Sequence, residues 1–152
     1  MSQTIDTNVL IYATHTASPF HQRARALVEH LVAGPGLAYI FWPTVLGYLR
    51  IVTHPTILET PLSTNDATSN VENVISPAHI RVAGEVDDFW PAFQRVTAET
   101  KPRGKLVPDA HLVALMHVHG VSTIWTHDRD FRRFSGITSK DPFDERYSTG
   151  FA

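Results

Sequence analysis

Apolar residues along the chain fall into short unbroken runs that alternate with longer stretches of helical spacing. The first run spans residues 4–11: Ile5 is apolar, Asp6 and Asn8 are polar, and Val9, Leu10 and Ile11 resume the apolar series. This predicts a short buried strand with a carboxylate at its exit. Phe20, Ala24, Leu27, Val28, Leu31 and Val32 then recur at helical spacing between Ser18-Pro19 and Gly34, which predicts an amphipathic helix. Residues 37–41 form a second apolar run, and Pro43 opens a helix to about Val52 that His54-Pro55 stops. Ser63-Thr64-Asn65-Asp66 has the form of a capping box before a helix carrying Val71, Val74 and Ile75. Residues 79–83 predict a third strand. Phe89, Trp90, Phe93 and Val96 predict a further helix, with Pro91 confined to its first turn. Pro108 opens a helix ending at Gly120, residues 121–125 form the fourth strand, and residues 136–138 can add an edge strand.

Strands separated by helices imply βαβ units, so the expected fold is α/β with a mostly parallel four- or five-stranded sheet covered on both faces. Ligands of such sheets collect at the carboxyl ends of the strands. Asp6 falls at the exit of the first strand, Asp128 and Asp130 at the exit of the fourth, and Asp109 joins them if its helix begins at that rim. Each acid also has a plainer role open to it. Asp6 or Asn8 can make an Asx-turn, Asp109 and Asp128 can cap helices, and Asp130 can serve as a first-turn acid. Carboxylates that converge raise one another's pKa unless a cation sits among them, and a hard ion such as Mg²⁺ or Mn²⁺ suits an all-oxygen set.

The 152 residues are expected to form one domain, with a tail from about residue 141 that is irregular. A formal net charge of -2 gives no global basic field, so any polyanion must be met by a local patch. Candidate phosphate contacts are Arg50, Arg103, Lys105 and Arg129, with Arg132 and Arg133 beside the last acids. The absence of cysteine removes disulfides, thiolate metal sites and cysteine nucleophiles together. No basic leader precedes an apolar run, and no stretch approaches the ~18 apolar residues of a membrane helix, so a cytoplasmic protein without membrane contact is expected.

Three segments in order, residues 5–10 (Ile-Asp-Thr-Asn-Val-Leu), 109–114 (Asp-Ala-His-Leu-Val-Ala) and 126–131 (Thr-His-Asp-Arg-Asp-Phe), resemble the PIN-domain ribonucleases. Within that family the chain is most similar to VapC toxins of type II toxin-antitoxin systems, a likeness that residues 46–50 and 53–55 share. The resemblance implies a three-layer α/β/α domain and a metal-dependent endoribonuclease that acts on RNA, is restrained by a VapB-like antitoxin and forms a homodimer. It implies Asp6 and Asp109 as Mg²⁺ (or Mn²⁺) ligands, Asp128 completing the acidic cluster, and Asp130 supporting it directly or through water. Asn8 and Thr126 would hold the carboxylates or the bound water in place. The chain departs from the common pattern at Gly47, where many relatives have Glu.

That departure favours a rival reading, a PIN-like module that binds RNA or an antitoxin without cutting. A phosphotransfer domain fits less well, since Asp6 is followed by Thr7-Asn8 and there is no glycine-rich phosphate loop. His54, His111 and His127 are given no catalytic role. His117 and His119 are too isolated to argue a zinc site, and Trp42, Trp90 and Trp125 are expected in the core or an interface.

Overall fold

A computed structural model describes residues 2–151. Five parallel strands, β1 (Gln3–Ile5), β2 (Ala38–Phe41), β3 (Ile80–Ala83), β4 (Thr123–Trp125) and β5 (Thr138–Lys140), lie in the order β3-β2-β1-β4-β5. Alternate strand residues face opposite ways, as the pleat requires. Ile5, Ala38, Ile40, Ile80 and Trp125 join an apolar cluster with α1 (Thr7–Thr14), α2 (His21–Ala33), α3 (Trp42–Val52) and α4 (Thr64–Ile75). Phe41 and Ile124 join a second cluster with α5 (Phe89–Thr100) and α6 (Leu106–His119). The result is the expected α/β/α sandwich with a five-stranded parallel sheet.

The helix boundaries follow local chemistry. Ser63 accepts a hydrogen bond from the Asp66 N–H at the start of α4, which is the N-cap half of the expected capping box. Gly34 and Gly120, with φ of 74° and 68°, end α2 and α6 in a region open to glycine.

Several expectations are corrected. Residues 4–11 are not one strand: β1 ends at Ile5 and α1 begins at Thr7, with Asp6 extended between them. Val9, Leu10 and Ile11 are all buried in α1, and an unbroken apolar run does not by itself distinguish a strand from a helix closed in on several sides. Helix α6 begins at Leu106, two residues before Pro108, so Asp109 lies in its first turn and is not the cap. The last strand also lies two residues later than expected, and the fourth is shorter at its start because Val121 N–H still closes the end of α6 on the Met116 carbonyl.

Beyond residue 141 the chain is a packed strap. Arg23 donates to the carbonyls of Phe143 and Asp144, at 3.1 and 2.6 Å, while Tyr147 and Phe151 set their rings against Trp125. Trp125 is therefore a core residue, but Trp42 and Trp90 are 44% and 60% exposed and do not belong to the core.

Candidate functional site

Asp6 occupies the single residue between β1 and α1. Its backbone N–H still donates to the Trp125 carbonyl of the neighbouring strand, so the sheet itself fixes where the carboxylate emerges. Only 9% of Asp6 is exposed. From the exit of β4, the Thr126 hydroxyl donates to Asp6 Oδ2 at 2.9 Å and accepts the Asp128 N–H at 2.9 Å. Asp128 in turn accepts the Asp130 N–H at 2.9 Å, capping a 3₁₀ turn over Arg129–Arg133. Capping and clustering are thus served by one conformation: the Thr-x-Asp-x-Asp spacing turns the chain so that alternate polar side chains stack back toward β1.

Asp109 completes the arrangement from the first turn of α6. Asp109, Asp128 and Asp130 each offer a carboxylate oxygen within 4.8 Å of the others. Asp6 stands beside that trio, and its electrostatics report the proximity. Burial raises the Asp6 pKa, the Thr126 hydrogen bond opposes the rise, and the Asp128 charge adds to it. Asp109 is pushed up to about 7, chiefly by burial and then by the charges of Asp6, Asp128 and Asp130, with Lys105 opposing. Four acids are brought to one rim, and the charges of their neighbours disfavour the ionised forms of Asp6 and Asp109. An all-carboxylate donor set in that condition fits a hard divalent cation.

A cleft of about 270 Å³ opens beside Asp6 and Asp109. Asn8 of α1, His111 of α6, and Pro43, Thr44, Gly47 and Arg50 of α3 line it. At Gly47 a Cβ would come within 3.2 Å of the Thr7 methyl carbon, so the threonine already fills the space a side chain there would enter. The α3 wall consequently contributes no carboxylate. A larger cavity of about 530 Å³ lies among α1 to α4, lined by Leu10, Val28, Val45, Tyr48 and Val71, away from the acid cluster.

Of the basic candidates, Arg50 lines the cleft and Lys105 Nζ stands 3.9 Å from Asp130, which Arg133 also approaches at 3.7 Å. Arg103 and Arg129 are exposed on the flanking loop and turn. The histidines are locally engaged. His54 accepts the Thr56 N–H, His111 pairs with Glu85, and His127 bonds Asp141 at 2.8 Å. His117 and His119 bond the carbonyls of Ser135 and Gly84, and neither joins a metal-holding cluster among the described residues. Thr44 was not singled out by the sequence: a threonine inside an apolar helix gives no signal of what it faces.

A five-stranded parallel α/β/α sandwich whose carboxyl rim gathers Asp6, Asp109, Asp128 and Asp130 is an α/β domain with an acidic centre at the edge where such sheets bind their ligands. The family model for the PIN domain matches residues 4–137. The chain is 59% identical to Ribonuclease VapC48 of Mycobacterium tuberculosis over 143 residues, covering 94% of this chain and 99% of that protein. It belongs to the PIN-domain family, in its VapC branch. The fold agrees with solved structures. Mycobacterium tuberculosis VapC20, described as a sarcin-ricin loop cleaving toxin, superposes with a TM-score of 0.65 at 14% identity, over 90% of this chain and 96% of that one. VapBC2 from Rickettsia felis, bound to a DNA fragment from its promoter, gives 0.65 at 12% identity, over 92% and 98%.

Proposed function

We propose that the protein is a metal-dependent endoribonuclease, the toxin of a VapBC-type pair, and that Asp6, Asp109, Asp128 and Asp130 form its cleavage centre. The observation that carries this is the convergence of acids from the β1 exit, α6 and the β4 exit, with burial and the neighbouring acids pushing the Asp109 pKa up to about 7. Asp6 and Asp109 would hold Mg²⁺ or Mn²⁺ with Asp128, and Asp130 would support them directly or through water. Once bound, such an ion supplies Lewis-acid stabilisation of phosphoryl charge and a water acidic enough to attack at neutral pH.

The chain's own residues do the rest. Thr126 fixes Asp6 Oδ2 and the Asp128 backbone with one hydroxyl, so the carboxylates keep their relative positions when charged. Asn8 lines the cleft next to Asp6, and the N–H groups of Thr7 and Asn8 favour the charged form of that acid. Arg50 in the cleft, with Arg103, Lys105 and Arg129 around the acids, would meet backbone phosphates and orient the strand. The partner set is an RNA substrate, a VapB-like antitoxin, as the toxin-antitoxin pair from Rickettsia felis suggests, and a second copy of the chain. For that second copy, Trp42 and Leu46, 44% and 63% exposed and one turn apart on α3, supply apolar surface.

Sequencing the ends of RNAs incubated with the purified protein and Mn²⁺ tests the reading; discrete new ends are expected. Thr126→Val should lower cleavage roughly 10- to 100-fold, the usual effect of removing a group that orients metal ligands. The lack of a carboxylate at Gly47 favours a second reading, an RNA- or antitoxin-binding module that does not cut, and RNA left intact with every divalent ion would establish it.

A further inference from the structure

The turn that carries Asp128 and Asp130 is held from two sides. On the inner side the Thr126 hydroxyl joins it to Asp6. On the outer side His127, the residue between Thr126 and Asp128, is engaged by the C-terminal strap. Its Nδ1 donates to Asp141 Oδ2 at 2.8 Å, and its ring lies against those of Phe20 and Phe143, with centroids 4.9 and 5.2 Å away. The Lys140 carbonyl accepts the Thr126 N–H at 2.8 Å. Residues 140–143 therefore grip two consecutive residues of the turn, one through its backbone and the other through its ring.

The strap is itself fixed. Asp141 Oδ1 accepts the Phe143 N–H at 2.9 Å, Phe143 stacks on Phe20 with centroids 4.4 Å apart, and Arg23 ties the Phe143 and Asp144 carbonyls to α2. Such a buttress has something to resist. The charges of Asp128 and Asp130 act on Asp6 and Asp109 across the cluster, and that repulsion drives the turn outward, against the strap. Stability alone gives little reason for the pair, because the His127 and Asp141 side chains are 45% and 33% exposed and an ion pair that open adds little. The grip also lies beyond residue 137, where the match to the PIN-domain model ends.

We propose that Asp141 is a positioning residue which, acting through His127, holds the Thr126–Asp130 turn in the conformation that brings Asp128 and Asp130 to Asp109. The consequence for metal affinity and cleavage rests on the nuclease reading above, whereas the hold on the turn belongs to the chain itself. Asp141 touches neither the acids nor a substrate; it sets where the acids stand.

The test compares Asp141→Ala with Asp141→Asn, which keeps a hydrogen-bonding partner for His127, and with Arg146→Ala, which removes the strap's other exposed pair, to Asp144. Hydrogen exchange of the Asp128 and Asp130 amides, both bonded within the turn, is followed by NMR in EDTA, and Mn²⁺ affinity is measured by calorimetry. Asp141→Ala should speed exchange of both amides about 5-fold, the scale of an exposed ion pair. It should bind Mn²⁺ about 10-fold more weakly, the lower end of what partners of metal ligands contribute. Its melting temperature should stay within about 4 °C of wild type. Asp141→Asn should restore both readouts, and Arg146→Ala should match wild type. Combined with His127→Ala, Asp141→Ala should add no further loss, since one residue acts through the other. Wild-type exchange or wild-type Mn²⁺ affinity in Asp141→Ala, a larger fall in its melting temperature, failure of asparagine to rescue, or additive losses in the double variant would overturn the proposal. Wild-type protein that binds no Mn²⁺ would instead overturn the nuclease reading, while faster exchange in Asp141→Ala would still uphold the strap's hold on the turn.

Discussion

Asp6→Ala is expected to reduce RNA cleavage by about 100-fold or more while leaving the melting temperature equal to or above that of the wild type. Removing groups that merely orient a metal ligand already costs roughly 10- to 100-fold, so loss of a ligand should reach at least the upper end. The stability half of the expectation comes from burial. Asp6 is 9% exposed, its pKa is raised by desolvation first, and the Asp128 charge raises it further. Alanine removes a carboxylate that burial makes unfavourable and frees the Thr126 hydroxyl and the Thr7 and Asn8 N–H groups, which the opening left by the carboxylate lets water reach. Cleavage within a few-fold of wild type would take Asp6 out of the mechanism. A large fall in melting temperature would make the residue a structural one.

Removal of divalent ions with EDTA should abolish cleavage, and Mg²⁺ or Mn²⁺ should restore it; chelator-resistant cutting would defeat the metal reading. The same site predicts how stability depends on pH. An unfolded aspartate titrates near 3.9, whereas Asp109 in the folded protein titrates at about 7. The folded state therefore holds this proton more tightly, and the stability it contributes is present below about pH 4 and lost as pH rises through about 7. Above that value the ionised carboxylates repel, with only Lys105 and Arg133 at the edge of the cluster to offset them, unless a cation joins them. Mn²⁺ should consequently raise the melting temperature more at pH 8 than at pH 5.5, where protons compete for the same oxygens. Asp109→Asn should flatten that difference. An equal Mn²⁺ shift at both pH values would count against Asp109 as a ligand.

Much of this site was legible in the sequence because its parts obey local rules. The Thr126-Asp128-Asp130 turn is a capping pattern with alternate residues on one side, and the placement of Asp6 follows from an acid that interrupts the apolar run right after Ile5. What sequence could not deliver was anything set by neighbours distant in the chain. Val9 to Ile11 read as strand because α1 is buried on more than one side, which removes the polar face that betrays a helix. Asp109 was placed at the rim only conditionally, since Pro108 marks a first turn without saying which of its positions it fills. The sequence shows Gly47 where an acid is common, but that Thr7 occupies the vacated space depends on α1 and α3 meeting there.

The centre of the sheet has a consequence for synthesis. Strand β1 is made first and lies between β2 and β4, and Asp6 and Thr126, which share a hydrogen bond, are 120 residues apart. A nascent chain can pair β1 with β2 early, yet it has neither Thr126 nor Asp128 until most of the polypeptide has left the ribosome. If the cleavage centre is the one proposed, the ribosome carries no competent cutter until the last stretch of translation.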